Sequence, residues 1–142
     1  MANLNGSFGL RPIGKLGGGS NSTGLTGFTP YEIASDNTDK IYHGQLVIPL
    51  ASGYIDHTAN AAGGTVSHLG VFQGCQYVSS VTGKPTWSNY WPGSGADSDF
   101  PVKAFINDDP SQLYVIATDA SWTSEATARA SVFLNASLST GI

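Results

Sequence analysis

The sequence has few ionised side chains and a single cysteine. Asp, Glu, Lys and Arg make up 11% of its 142 residues, whereas an ordinary soluble domain carries about 25%. Because Cys75 has no partner in the sequence, an intrachain disulfide is excluded, and the core or an oligomer must hold the fold together. The apolar neighbours of Cys75 predict a buried structural thiol, since a reactive thiolate needs electropositive surroundings.

Basic residues and long apolar runs are also scarce. The net charge is -4, with only 6 Lys and Arg, and this argues against nucleic acid as a partner because phosphate contacts need a basic stripe. The chain does not open with a basic stretch followed by an apolar one, and nowhere does it run for about 18 apolar residues. We therefore expect neither export by a signal peptide nor a membrane partner.

The low charge allows two descriptions of the surface. Glycine supplies 18 residues, and Ser, Thr and Asn fill much of the sequence between the apolar positions. Such a chain has either a hydroxyl-rich exterior or a surface covered by neighbouring subunits. We favour the second description, because charged residues are depleted at interface cores, where an unpaired ion is costly to desolvate.

Residues 1–28 predict an extended N-terminal arm. They are rich in glycine and small polar residues and cannot form a helix or strand alone. Apolar side chains nevertheless recur through the stretch, at Phe8, Leu10, Pro12, Ile13 and Leu16. An arm that folds on contact with a neighbour explains both features, and a flexible terminus with incidental apolar residues is the alternative.

Residues 29–142 predict a β-rich domain. Short runs of Val, Ile, Tyr, Phe and Thr are separated by clusters of Gly, Pro, Asn, Asp and Ser, which is typical of strands and turns. The predicted strands lie near 30–34, 41–50, 53–57, 65–72, 75–79, 84–90, 100–107 and 112–118. The predicted fold class is mainly β, a small β-barrel or β-sandwich-like domain with at most one short helix. That helix is predicted within 121–130, and 131–142 predict a last strand and a loose tail.

Motifs for metals and catalysis are missing from the sequence. His43, His57 and His68 show no spacing that would place two ligands on one side of an element. No serine has a Gly-x-Ser-x-Gly frame, and the glycines at 17–19 are not followed by Lys-Ser or Lys-Thr. We expect no metal, no cofactor and no enzymatic activity. A hydrolase assembled from distant residues is the weakest alternative.

Four acidic residues raise the alternative of a calcium site, namely Asp97, Asp99, Asp108 and Asp109. They lack the pattern of a calcium-binding loop. Asp108 and Asp109 precede Pro110, and this order predicts a turn, since Asp side chains accept hydrogen bonds from nearby amides and proline presets the next backbone angle.

The aromatic residues Trp87, Tyr90 and Trp91 lie close together beside glycines. Trp and Tyr bury a large area at low entropic cost and keep a polar group for hydrogen bonding. Three roles therefore stay open for them: packing in the core or a loop, contact with another protein, or a stacking platform for carbohydrate.

Several segments of the sequence resemble a family of small virion structural proteins of tailed phages, in particular phages of aquatic bacteria, known as capsid decoration or cement proteins. The matching segments are SFGLRP at 7–12, YEIAS at 31–35, IYHGQLVIPL at 41–50, LGVFQGCQY at 69–77, SNYWPG at 88–93 and PVKA at 101–104. The resemblance as a whole spans most of the chain, from about residue 7 to 130. Similar proteins often carry Asp where this chain has Gln45.

The resemblance implies a non-enzymatic subunit on the outer surface of the virion. It implies a partner, the major capsid protein, and self-association as a homotrimer that clamps the junctions between capsid subunits. The capsid-binding residues expected from the arm are Phe8, Leu10, Pro12 and Ile13. The alternative function is a receptor- or carbohydrate-binding virion module, such as a head fibre or a tail component.

Overall fold

The computed structural model describes residues 8–17, 27–57, 67–117 and 124–134. These residues form eight strands and one short helix. The strands are β1 (Arg11–Lys15), β2 (Thr29–Ile33), β3 (Leu46–Pro49), β4 (Ile55–His57), β5 (Gly70–Val78), β6 (Pro85–Ser88), β7 (Val102–Asn107) and β8 (Gln112–Val115), and the helix is α1 (Glu125–Ala130). The mainly β fold class is confirmed.

Two antiparallel sheets contain all eight strands. The larger sheet has the order β2-β7-β5-β3-β4, with β6 also paired to β5, and the smaller sheet consists of β1 and β8. The edge strands β2 and β4 contact each other, so the larger sheet curls around its core. Among the described residues no ladder joins these two edges, and the sheet does not close into a barrel.

Strand β5 is the centre of the larger sheet. Its Gly70–Val78 span joins two strands that the sequence predicted separately, near 65–72 and 75–79. The register against β7 shifts between Phe72 and Gly74, and this β-bulge lies where the two predicted strands were separated. Gly74 has a φ of 152°, and a Cβ there would lie 2.9 Å from the Ser88 carbonyl oxygen. The bulge therefore requires glycine.

The core lies on one face of the larger sheet. In β7, Val102, Ala104 and Ile106 are buried, while Lys103 between them is exposed, as the two-residue period of a strand requires. The core cluster consists of Ile33, Ile41, Val47, Ile55, Phe72, Cys75, Trp91, Val102, Ala104 and Ile106. Burying each of the large apolar side chains contributes about 1.5–3 kcal/mol.

Trp91 is the largest of these buried side chains. Its backbone pairs with that of Ile41 through two hydrogen bonds of 2.8 and 3.2 Å. Its indole N–H donates to the Asn37 carbonyl oxygen at 3.2 Å, and the Tyr77 ring packs edge-on against it at 5.5 Å. Trp91 thus joins the loop after β2 to the middle of the core.

The predicted strand over 41–50 is shorter in the structure, where β3 begins at Leu46. A turn occupies the first residues, since the Gln45 N–H donates to the Tyr42 carbonyl at 3.1 Å and Gly44 has a φ of 83°. The Gln45 side-chain oxygen accepts the Tyr42 N–H at 2.7 Å. Glutamine at position 45 therefore closes this turn with a side-chain hydrogen bond.

The C-terminal prediction is partly wrong. The predicted helix is present from Glu125, with the Ser124 hydroxyl accepting the Thr127 N–H as an N-cap, but α1 buries none of its residues. Residues 131–134 form a turn where a last strand was predicted, and 121–123 and 135–142 lie outside the described residues. No helix in the described ranges has the length and apolar character needed to cross a membrane.

We predict different effects for two tryptophan substitutions. Trp91→Ala should lower the free energy of unfolding by about 3–5 kcal/mol, because it empties a large buried site. Trp87→Ala should lower it by about 1 kcal/mol, because that ring is largely exposed and loses chiefly an aromatic contact. Urea denaturation followed by circular dichroism measures both. Equal losses would contradict the assignment of Trp91 to the core.

Candidate interaction surface

Strands β1 and β8 form a two-stranded unit, here called the β1–β8 ribbon. Arg11 lies opposite Val115, Pro12 opposite Tyr114, and the register shifts between Pro12 and Gly14. At the far end the Leu16 N–H donates to the Ser111 carbonyl at 2.8 Å. The ribbon brings residues of the predicted arm into a sheet with the same chain, a pairing that the sequence analysis did not anticipate.

The turn between β7 and β8 supports the ribbon. The Asp109 carboxylate accepts the Ser111 N–H at 2.8 Å and pairs with the Lys15 ammonium at 2.7 Å. Asp108 instead accepts the hydroxyls of Thr29 at 2.8 Å and of Tyr31 at 2.9 Å. The predicted turn is confirmed, and both carboxylates join strands through ordinary hydrogen bonds and one ion pair.

Two buried amides connect the ribbon to the larger sheet. The Asn107 side-chain N–H donates to the Gln112 side-chain oxygen at 3.3 Å, and the Gln112 side-chain N–H donates to the Gly14 carbonyl at 2.7 Å. The Tyr114 hydroxyl donates to the Asn107 carbonyl at 3.4 Å. Because buried polar groups are costly to leave without partners, these contacts hold the inner face of the ribbon in place.

The outer face of the ribbon is exposed and largely apolar, with Arg11, which lies opposite Val115, as its charged member. Ile13 is 62% exposed, and Leu113 and Val115 are each about 40% exposed. Their neighbours Pro12, Gln112 and Tyr114 lie toward the inner face, in keeping with the alternation of side chains along a strand. A two-stranded ribbon has little stability of its own, and exposed apolar clusters mark interaction sites.

The predicted capsid-binding residues occupy different environments. Phe8 is half-buried under the Arg11 guanidinium, which lies 4.4 Å from its ring centre, and Leu10 is half-buried, with its N–H donating to the Gly44 carbonyl at 2.9 Å. Pro12 is half-buried on the ribbon, and Ile13 is the exposed member. The sequence analysis did not identify Leu113 and Val115, because only the strand pairing places them beside Ile13.

The three clustered aromatic residues do not share one surface. Trp91 lies in the core, so a stacking platform that includes its ring is excluded. Trp87 is 68% exposed and stacks on Phe105, with ring centres 5.5 Å apart and planes 12° from parallel. Tyr90 stacks on Tyr42 at 6.1 Å. The segment therefore supplies one core residue and two exposed aromatic residues, each stacked on a ring from another part of the chain.

Asp39, Asp56 and His57 come together at the seam between β4 and the loop after β2, with donor atoms within 4.8 Å of one another. The His57 Nε2 and Asp39 Oδ2 atoms are 4.0 Å apart, whereas two ligands bound to one ion at about 2.1 Å would be about 3–3.5 Å apart. Asp56 also accepts the Asn37 side-chain N–H at 3.2 Å. These distances fit a polar network across the seam better than a formed metal centre.

Cys75 lies in the core, where its thiol contacts the Tyr90 carbonyl oxygen at 3.4 Å. Burial raises the pKa of this thiol to about 12, because the thiolate would lose its hydration. The predicted buried thiol is confirmed, and a thiol with this pKa is a poor nucleophile at neutral pH.

No protein-family model, curated protein or solved structure matches this chain.

We predict that Cys75 reacts slowly with thiol reagents while the protein is folded. At pH 8, labelling with iodoacetamide should follow the opening of the core, and it should become rapid in urea, where the thiol regains its ordinary pKa. Mass spectrometry after timed labelling measures the modified fraction. Rapid labelling of the folded chain would contradict the buried position of Cys75.

We predict that the protein loses stability in alkaline solution. Burial, with a smaller effect of Asp109 and Asp108, raises the pKa of Tyr114 from 10.0 to about 12, and the pKa of Cys75 rises from 9.0 to about 12. Both groups ionise more easily in the unfolded chain. Their contribution to the free energy of unfolding is therefore complete below pH 9 and is lost as the pH rises toward about 12.

Thermal denaturation between pH 7 and pH 11.5 tests this dependence. Tyr114→Phe removes one of the groups whose pKa is raised by folding, so its alkaline loss of stability should be shallower than that of the wild-type chain. An identical pH dependence in the two proteins would contradict the role assigned to Tyr114.

Proposed function

We propose that this chain is a non-enzymatic structural subunit of a tailed-phage virion, a capsid decoration protein that binds the outside of the head. Its partner is the major capsid protein at the junctions between subunits, and its own copies associate as a homotrimer. The observation that carries this proposal is the exposed apolar face of the β1–β8 ribbon, formed by Ile13, Leu113 and Val115.

The position of the ribbon supports a docking role. Its inner face is held by buried amides, so the outer face is presented on a fixed support. A partner that covered the apolar face would gain about 25 cal/mol for each Å² of apolar surface removed from water. A preorganised face also loses little conformational entropy on binding, which favours affinity.

The C-terminal segment supports the same role. The six-residue helix α1 buries none of its residues, and isolated helices of this length are unstable in water. It is followed by the exposed residues Val132, Phe133 and Leu134. Three apolar side chains in succession at the surface are explained by contact with another subunit.

The low charge of the chain fits a surface that is covered in an assembly. With 11% charged residues, the chain can place large areas against a neighbour without leaving ions unpaired. A DNA-filled head is under internal pressure, and its joints are its weakest points. A clamp that buries about 1,600 Å² per copy would have the area of a stable specific interface, repeated by the symmetry of the shell.

The sequence segments that suggest the phage family extend over both the ribbon and the core. The segment at 7–12 leads into β1, and the segment at 69–77 covers most of β5 with its bulge. The segment at 88–93 contains Trp91, the largest core side chain. The resemblance therefore includes residues that set the fold, whereas Ile13, Leu113 and Val115 of the proposed docking surface lie outside the matching segments.

We predict that polar substitutions on the ribbon reduce binding to capsids. The triple variant Ile13→Ser, Leu113→Ser, Val115→Ser should stay folded, because exposed positions tolerate substitution, and should bind at least about tenfold more weakly, because apolar contact area is lost. Heads lacking this chain are mixed with purified protein and sedimented, and the bound protein is quantified by gel densitometry.

Val81→Ser is the matched control, since Val81 is 89% exposed and lies in the turn between β5 and β6. It should bind heads as the wild-type chain does. Failure of the wild-type chain to bind expanded heads would refute the proposed function, and undiminished binding by the triple variant would refute the role of the ribbon.

A further inference from the structure

A second surface feature lies on the face of the larger sheet opposite the core. It is a groove of about 510 Å³, lined among others by Phe28, Gln73, Trp87, Ser88, Asn89 and Phe105. This volume falls within the range of about 300–1,000 Å³ that is usual for small-molecule sites. The groove includes none of the ribbon residues, so its role is separate from the proposed docking surface.

The apolar part of the groove consists of aromatic rings. Trp87 lies nearly parallel to Phe105, with an angle of 12° between the planes, and Phe28 from the start of β2 is also exposed here. Stacking on Phe105 restrains the indole of Trp87 while 68% of the residue stays exposed. A restrained, exposed aromatic ring can stack against a flat apolar ligand face at low entropic cost.

The polar part of the groove lacks a hydrogen-bond acceptor for one buried group. The Nε2 atom of Gln73 is buried and makes no hydrogen bond within the described structure. A buried donor left without a partner costs about 1–3 kcal/mol. Gln73 lines the groove, so a turn of its side chain toward a ligand oxygen would satisfy this donor and remove that cost, and a purely hydrocarbon ligand would not.

The lining also restricts the charge of the ligand. Its polar side chains are the amides of Gln73 and Asn89 and the hydroxyl of Ser88, and no lining residue is ionised. A phosphate or carboxylate would find no cation here, and the net charge of -4 adds general repulsion. The combination selects a neutral ligand with one apolar face and several hydroxyl groups.

We propose that this groove binds a neutral carbohydrate. A pyranose ring has C–H groups on its faces, which would stack on Trp87, and hydroxyls at its edge, which would accept from the Gln73 amide. The site uses Trp87 alone of the three clustered aromatic residues, and it does not depend on the proposed capsid role.

The full chain, labelled with ¹⁵N, is titrated with cellohexaose, maltohexaose and chitohexaose. At least one sugar should produce saturable shifts of the Trp87 indole N–H and the Gln73 side-chain amide. Trp87→Ala and Gln73→Met should each raise the dissociation constant of that sugar roughly tenfold, since the first removes the stacking ring and the second removes the amide. Tyr54→Ala, an exposed aromatic outside the groove, should leave it unchanged.

The proposal is overturned if none of the three sugars shifts these signals, or if Trp87→Ala binds as the wild-type chain does. Equal binding of hexagalacturonate would overturn the preference for a neutral ligand. If Trp87→Ala prevents head binding while no sugar binds, the groove is a protein contact. That result would reject the carbohydrate site and leave the ribbon experiment to decide the capsid role.

Discussion

The burial of Trp91 is the interaction on which the rest of the structure depends. Its backbone pairs with Ile41 and its indole N–H reaches Asn37, so one residue holds the loop between β2 and β3 against the curled sheet. Asn37 in turn donates to Asp56 in β4. The two edges of the sheet are thereby brought together without a ladder between them, and the curled sheet encloses its core.

The inward position of Trp91 also affects the outer surface. Trp87, in β6, lies on the opposite side and stacks on Phe105, whose neighbours Ala104 and Ile106 point into the core. One strand, β7, thus contributes to the core on one face and to the aromatic groove on the other. The ribbon lies beyond its end, joined to it through Asn107. Both candidate interaction surfaces are supported by the same strand.

Local patterns in the sequence were sufficient to predict much of this fold. The strand near 100–107, the Asp-rich turn after it and the capped start of α1 depend on neighbouring residues, and the structure contains them. Two strands were predicted where the structure has only β5. The strand stays continuous through a β-bulge at Gly74, and this bulge becomes apparent only when β5 is paired with β7. Turn hydrogen bonds shortened the strand predicted at 41–50.

Both candidate surfaces depend on contacts between distant parts of the chain. Ile13 and Leu113 are brought together by antiparallel pairing across almost the whole sequence, and no local pattern encodes that register. The groove likewise combines Phe28, Gln73 and Phe105 from three strand regions. Ile13 and Trp87 were candidates from the sequence because an apolar residue in a glycine-rich arm and a tryptophan beside polar residues and glycines are both visible locally. Trp87 could not be separated from Trp91, since only the paired sheet shows which ring points into the core.

The central claim is that this chain works by being covered on its ribbon face within a virion. A cryo-electron microscopy map of the intact particle tests it most directly. The account predicts density for the chain on the outer surface of the head, with Ile13, Leu113 and Val115 in contact with another subunit. Absence of the chain from the particle, or a map in which the ribbon face is open to solvent, would contradict it.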